Sequence, residues 1–429
     1  MTYKETLDFL YSQLPAYHRI GKAAYKNNLD NTIALDEYFG HPHQKYMTIH
    51  IAGTNGKGSV SHMIASVLQE AGYRTGLYTS PHLKDFRERI KINGEMITEK
   101  DVISFTEDHS GIIDSVHPSF FEMSVAMAFN YFAQKNIDIA VIEVGLGGRL
   151  DSTNILSPVV SVITNIGHDH MDLLGNSLEK VAREKAGIIK SGVPVVIGET
   201  KPETRDVFLL YANNSGSDIY FAEENYICRL EEMDINFGGR SFTVHEVNGS
   251  NYFRGIIPLT GDYQQANLGT LFQLFMCLEK KLKLNERDLI DGISNVIKNT
   301  GFQGRWQVIG KNPLIVCDTG HNREGLEYVM KQIKQISVTK CHLVIGFVSD
   351  KDLETVLPLF PINAEYYFTK AAVPRAMDEN KLMSEASRFG LHGNSYASVN
   401  EAFNAALKCS VPTDLIFVGG STFVVAEVI

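Results

Sequence analysis

The stretch "IHIAGTNGKGSV", residues 50–61, runs from an apolar segment through a glycine-rich turn into a second apolar segment. Upstream, "YMTIHIAG" is short, rich in β-branched residues and closed by glycine, which predicts a buried strand. Downstream, Val60, Met63, Ile64, Val67, Leu68 and Ala71 recur at helical spacing. Ser59 is placed to cap that helix and Gly72 to close it. Backbone N–H groups of such a turn, with the positive helix end behind them, favour bound phosphate. Lys57 would reach the outer phosphates as a point charge, and Ser59 could offer its hydroxyl to magnesium. The usual phosphate loop has four residues between its glycines and no glycine between lysine and serine. Gly-Lys-Gly-Ser is therefore a variant spacing, and a turn that bound nothing would need neither Lys57 nor Ser59.

The chain has 429 residues, more than one core usually serves, which predicts two domains. An apolar content of 44% with one Trp points to a globular protein. No segment approaches about 18 uncharged apolar residues, and the first residues lack a secretion-signal layout, so a cytoplasmic location is expected. The cysteines at 228, 277, 317, 341 and 409 are scattered without a Cys-x-x-Cys pair, which suggests reduced thiols rather than a disulfide framework or zinc site. A net charge of −10 argues against a general nucleic-acid binder.

Further runs that predict strands are "TGLYTS", "IDIAVIEV", "PVVSVITNIG" and "PVVIGE", separated by helical stretches such as "EMSVAMAFNYFAQK" and "LEKVAREKAGIIK". This is the pattern of an α/β domain whose parallel sheet is wrapped by helices. Short strands follow, "RLEEMDINFGGRSFTVHEV" reading as a hairpin, then helices at "YQQANLGTLFQLFMCLEKKL" and "NERDLIDGISNVIK". A second β/α series starts after "NTGFQGRWQ", with strands at "LIVCD", "CHLVIGF", "EYYFT" and "DLIFVGG". The expected domains are 1–298 and 299–429, the second smaller.

Glu143 ends an apolar strand where glycines begin, at the sheet edge that lines ligand crevices in open α/β folds. A carboxylate there is either a magnesium ligand or a salt-bridge partner at a loop mouth. His168, Asp169 and His170 also follow a strand; lone histidines are usually structural, and three polar groups at one strand exit put a functional role on an equal footing with that reading. In "SLEKVAREKAGIIK" the apolar stripe is Leu178, Val181, Ala182 and Ile189, and Lys185 falls on it. Such a lysine either snorkels outward or is buried with a lowered pKa. A neutral amine can add carbon dioxide to give a carbamate able to ligate metal. In the second domain, Asp318 and His321 lie just beyond an apolar strand, suited to a ribose hydroxyl and to phosphate or base. The alternative is a helix N-cap with a solvent-facing histidine. Arg305 could place a guanidinium on phosphates, or be solvated.

In order along nearly the whole chain, "GTNGKGS", "TSPHL", "RERIKING", "EVGLGGRLDSTN", "NIGHDHMDLLG", "EKAGIIK", "QQAN", "GRWQ", "DTGHN" and "GGSTFVV" resemble the folylpolyglutamate synthase and dihydrofolate synthase family of the Mur ligase superfamily. The variant loop is that family's own form. The resemblance implies an N-terminal phosphate-loop domain and a smaller Rossmann-like C-terminal domain, with ATP between them. It implies that Thr54, Asn55, Gly56, Lys57, Gly58 and Ser59 hold ATP phosphates, with Asn267, Arg305, Asp318 and His321 completing the nucleotide site. Two magnesium ions are implied, the first on Ser59, Ser80 and Glu143 and the second on His170 and a carbamate of Lys185, together with a monovalent cation. Lys57, Glu143, His170 and Lys185 would be the catalytic set. His82, Phe121, Asp151 and Ser152 would bind the pterin-bearing substrate. Ser152 stands where the family usually has alanine, and "DTGHN" replaces the commoner Asp-Gly-Ala-His-Asn.

The implied reaction is ATP-dependent addition of L-glutamate to dihydropteroate, to reduced folates, or to both. The γ-phosphate would pass to a substrate carboxylate, and the glutamate amine would attack the acyl phosphate. Lys57 and the metals neutralise charge on the transferring group, and domain closure excludes water. The implied partners are these small molecules alone, with no nucleic acid, no membrane and a monomeric enzyme. Two rivals stand beside this reading. A cell-wall amino-acid ligase would carry a nucleotide-sugar-binding domain before the loop, and the residues preceding Gly53 are too few for one. A non-catalytic nucleotide-binding module would not need Glu143, His170 and Lys185 together.

Overall fold

The structure, a computed structural model, describes residues 1–14, 28–231 and 238–429. The chain divides into two compact units, the first formed by Met1–Glu231, Ser241–Pro258 and Gln264–Phe302, the second by Glu232–Arg240, Leu259–Tyr263 and Gln303–Ile429. The last segment of the first unit ends at Phe302, and within that unit Lys91 donates through Nζ to the Thr300 carbonyl at 2.7 Å.

The first unit is built on eight strands: β1 Met47–Ala52, β2 Thr75–Tyr78, β3 Ile90–Ile92, β4 Glu95–Met96, β5 Ile139–Glu143, β6 Val160–Ile163, β7 Val195–Ile197 and β8 Ile219–Phe221. Their order is β4-β3-β2-β5-β1-β6-β7-β8. All neighbours from β2 to β8 pair in parallel, whereas β3 and β4 form an antiparallel edge. Ile139, Ala140, Val141 and Ile142 are all fully buried, as expected for a parallel strand covered on both faces. Ala140 and Ile142 pack into the cluster that includes Met123, Met127 and Phe132 of the helix Phe120–Gln134. Ala52, Ile163 and Ile197 join a second cluster with Val181 and Ala182 of the helix Leu178–Ala186.

β9 Tyr226–Leu230, β10 Arg240–Glu246 and β11 Tyr252–Ile257 form a small sheet, with β9 and β10 antiparallel and Phe242 opposite Leu230. The strands of the expected hairpin are therefore present, and its turn lies outside the described residues.

The second unit holds β12 Gln307–Lys311, β13 Leu314–Asp318, β14 Cys341–Ile345, β15 Glu365–Thr369, β16 Gly393–Tyr396 and β17 Leu415–Gly419, ordered β12-β13-β17-β14-β15-β16. Only β12 runs antiparallel within this sheet. Its core gathers Val316, Leu343 and Phe417 from the strands with Leu326, Val329 and Met330 of the helix Arg323–Gln335.

One local expectation is corrected. Ser59 does not cap its helix, which spans Lys57–Glu70 with Gly56 as N-cap and no side-chain cap bond. Gly56 has φ 84°, a left-handed conformation that glycine adopts without a Cβ penalty, so the helix starts three residues earlier than a Ser59 cap would place it. Gly72, at φ 85°, follows the helix end as expected. The cysteines are all unbridged; Cys228, Cys277 and Cys317 are buried, Cys341 half-buried and Cys409 exposed.

Candidate active site

β1 delivers the chain directly into the loop 53–56, and the segment after β6 clamps it. Thr164 Oγ1 donates to the Asn55 carbonyl at 2.5 Å, the Asn55 N–H donates to Asn165 Oδ1 at 2.9 Å, and the Gly167 N–H donates to Thr54 Oγ1 at 2.9 Å. These partners lie more than a hundred residues from the loop, and "ITNIG" was read only as a strand exit, so the clamp was not foreseen. Gly53 sits at φ 151°, and a Cβ there would meet Thr164 Oγ1 at 1.8 Å. Gly53→Ala should therefore destabilise the fold by about 3 kcal/mol, through backbone strain and overpacking together. Urea unfolding at unchanged m-value checks this.

Lys57 Nζ donates to the carbonyls of Gly53 at 3.0 Å and Thr54 at 3.2 Å, so its ammonium is folded over the loop. Ser59 is 2% exposed and accepts a hydrogen bond from Gln264 Nε2 at 3.2 Å. Gln264 Oε1 in turn accepts from Asn267 Nδ2 at 2.8 Å, and a Cβ on Gly56 would lie 2.3 Å from Asn267 Oδ1. The helix Gln264–Glu279 thus presses Asn267 onto the loop glycine, with Gln264 as an intermediary that sequence reasoning missed.

Glu143 is the last residue of β5 and buried. Its Oε2 accepts from the Ser80 N–H at 3.2 Å and lies 3.9 Å from where a Cβ of Gly58 would be. Glu143, Ser80 and the loop helix are thereby gathered at one strand end. Lys185 resolves to the buried alternative. Its helix ends at Ala186, with Val181, Ala182, Lys185 and Ala186 buried, and the expected stripe residue Ile189 lies beyond it. Lys185 Nζ donates to the Gly53 carbonyl at 2.9 Å, the oxygen that Lys57 also uses. Burial lowers the Lys185 pKa to about 7, and the Lys57 charge adds to that, against the opposing pull of Asp169 and Asp151. His170 has φ 51° at the start of the turn Met171–Leu174, and its Nε2 lies 3.9 Å from Asp169 Oδ2. Asp169 links the two electrostatically, within range of Lys185 and beside His170.

Among the described residues no group of three or more His, Cys, Asp and Glu is assembled. The oxygen donors gathered at this loop are the buried Ser59 hydroxyl and Glu143 carboxylate, the hard-donor kind that holds a magnesium ion.

The residues expected at the pterin end fall into two groups. A Cβ on Gly145 would meet the Phe121 ring at 2.3 Å, and the adjacent Leu146 N–H donates to Asp151 Oδ2 at 2.9 Å, so Phe121 and Asp151 flank one short loop. Ser152 follows, buried, in the turn Ser152–Ile155. His82 instead accepts through Nδ1 from Arg89 Nε at 2.7 Å and packs against Phe86. Burial raises the Asp151 pKa, opposed by hydrogen bonds from Thr153 and Leu146.

In the second unit Asp318 ends β13 and is 1% exposed. It accepts from Tyr263 Oη at 2.6 Å and from the N–H groups of Trp306 and Gly320, both at 2.7 Å. Burial raises its pKa, and Arg305 opposes that rise. The N-cap of the following helix is Asn322, not Asp318 or His321, which removes the capping alternative. His321 Nδ1 lies 3.1 Å from the Thr319 carbonyl. Tyr263, ahead of "QQAN", was not singled out in the sequence.

Comparison with known proteins gives this geometry its setting. The Mur ligase middle domain matches residues 51–271, and the Mur ligase glutamate ligase domain matches residues 304–422. The folylpolyglutamate synthase of Lacticaseibacillus casei is 31% identical over 440 residues, an alignment covering 100% of this chain and 98% of that protein. This chain belongs to the folylpolyglutamate synthase family of Mur ligases. Family members of known structure superpose along its whole length. Escherichia coli FolC in complex with DHPP and ADP has a TM-score of 0.85 at 27% identity, covering 100% of this chain and 97% of that one. The bifunctional folylpolyglutamate synthase/dihydrofolate synthase of Yersinia pestis, complexed with AMPPNP and Mn ion, has a TM-score of 0.83 at 26% identity, with coverage of 100% and 97%.

Proposed function

We propose that this chain is an ATP-dependent ligase that adds L-glutamate to dihydropteroate and to reduced folates through an acyl phosphate. The observation that carries this reading is the convergence of Lys57 and Lys185 on the Gly53 carbonyl, in a chain matched from end to end by folylpolyglutamate synthases.

Thr54, Asn55, Gly56, Lys57, Gly58 and Ser59 cradle the ATP phosphates with backbone N–H groups and one ammonium. Lys57 leaves the loop carbonyls and follows the γ-phosphoryl group as charge builds on its oxygens. Ser59, Ser80 and Glu143 would hold one magnesium ion, and His170 with a carbamate of Lys185 a second. Bound there, the ions supply Lewis-acid neutralisation of phosphate and acyl-phosphate charge. Phe121, Asp151, Ser152 and His82 orient the pterin-bearing substrate so that its carboxylate meets the γ-phosphate. Asn267, Arg305, Asp318 and His321 are assigned to the nucleotide, Asp318 with three donors already fixing its carboxylate. No side chain forms a covalent bond to substrate. The glutamate amine displaces phosphate from the acyl carbon, and the products are the amide of the substrate acid, ADP and phosphate.

No helix among the described residues is long and apolar enough to cross a membrane. A cytoplasmic monomer acting only on small molecules fits this chemistry, since one chain supplies every assigned residue.

ADP release by the purified protein with magnesium should require a pteroate or folate acceptor and L-glutamate together, and should occur with both dihydropteroate and tetrahydrofolate. ATP hydrolysis indifferent to both acceptors would dismiss the ligase reading. Turnover with one acceptor alone would restrict it to that half-activity.

A further inference from the structure

We infer that His50 and Thr153 are positioning residues that lock the Asp151 carboxylate for the pterin-bearing substrate, through a buried hydrogen-bonded line from strand β1; this rests on the assignment of Asp151 to that substrate. Thr153 Oγ1 lies 2.5 Å from Asp151 Oδ1 and 2.8 Å from His50 Nε2, while the Thr153 N–H donates to the same carboxylate oxygen at 3.0 Å. A hydroxyl has one proton. Given to the Asp151 carboxylate, it leaves the Thr153 oxygen to accept from His50 Nε2–H. This arrangement fixes the imidazole tautomer, and burial keeps the ring neutral by lowering its pKa to about 3.

A histidine is a costly choice at that point. His50 is 0% exposed in the middle of the parallel sheet, opposite Ile142 on β5 and Ser161 on β6. Its Nδ1 is buried with no hydrogen-bond partner. An aliphatic residue would avoid that orphaned atom. The Thr153 bond is the polar contact that the ring makes among the described residues, so the residue type is explained by what it does to Thr153. Thr153 is itself 0% exposed and cannot meet substrate. Asp151 Oδ2, the other oxygen, accepts from the Leu146 N–H. The carboxylate is thus gripped on one oxygen by Thr153, backed by His50, and on the other by the loop that Phe121 covers. His50 stands three residues before Gly53 on the strand that feeds the phosphate loop, so one strand carries both the loop and the support for Asp151.

The test compares steady-state constants and melting temperatures of Thr153→Val, Thr153→Ser, His50→Leu and Asp151→Asn. Thr153→Val and His50→Leu should raise KM for dihydropteroate about tenfold, the loss of roughly one charge-assisted hydrogen bond. KM for ATP should stay within about twofold, a difference that falls within the scatter of near-neutral changes. Thr153→Ser keeps the hydroxyl and should keep the parent constants. Equal changes in both KM values, tracking a fall in melting temperature, would reduce His50 and Thr153 to packing and overturn the inference. An Asp151→Asn variant impaired for dihydropteroate beside an unaffected Thr153→Val would also overturn it, leaving the Asp151 assignment standing. Unchanged dihydropteroate KM in Asp151→Asn would remove that assignment and the inference together.

Discussion

Lys185→Ala should lower glutamate incorporation by about a thousandfold, the scale of losing one preorganised electrostatic group at a reacting phosphoryl centre. Its amine is buried on the loop carbonyl of Gly53, with a pKa near 7. The sign follows from that value. An unfolded lysine stays protonated to well above pH 9, so from pH 7 upward the folded chain binds fewer protons than the unfolded one. The burial penalty of Lys185 therefore shrinks as pH rises through that window. The same rise supplies the neutral amine that adds carbon dioxide. Activity of protein stripped of carbon dioxide should fall, and bicarbonate added above pH 7 should restore it more fully than below. Acetate or formate, filling the vacated space with a carboxylate, should return part of the activity to Lys185→Ala. Lys185→Arg should stay inactive, because a guanidinium keeps its proton and forms no carbamate. Full activity of the alanine variant without added carboxylate would exclude Lys185 from the metal site.

Glu143→Gln should abolish measurable turnover, a loss of about a thousandfold or more, while leaving the fold intact. The amide has nearly the same shape, and its oxygen can still accept from the Ser80 N–H. What disappears is one negative charge, buried at the end of β5 beside the phosphate-loop helix. Magnesium affinity depends on that charge far more than packing does. Circular dichroism and melting temperature should match the parent, and raised magnesium should recover little activity. Turnover within a few-fold of the parent would take Glu143 out of the metal site.

How much of this was legible depends on whether a residue's partners are near in sequence or in the sheet. β5, β13 and β17 stood out because parallel strands covered on both faces read as unbroken apolar runs. β12 with "QVIGK" and β16 with "GNSY" lie at the edges of the second sheet, where half-exposed polar positions leave no such run. The start of the loop helix was misplaced because the backbone freedom of Gly56, not a serine side chain, sets it. Lys185 was legible because an amine on an apolar helical stripe contradicts its surroundings. Its acceptor, Gly53, lies 132 positions away and could not be read. The same holds for Gln264 under Ser59, Tyr263 on Asp318 and His50 behind Thr153, each joined across a fold by a side chain whose type alone carries no signal.

The acyl phosphate is the centre of the account, and oxygen transfer tests it most directly. Dihydropteroate labelled with oxygen-18 in its carboxylate is incubated with the protein, ATP, magnesium and L-glutamate, and the released phosphate is examined by mass spectrometry. Attack of the carboxylate on the γ-phosphate, followed by displacement by the amine, places one labelled oxygen in each inorganic phosphate formed, with ADP in equal amount. Unlabelled phosphate, or release of AMP and pyrophosphate, would contradict the mechanism.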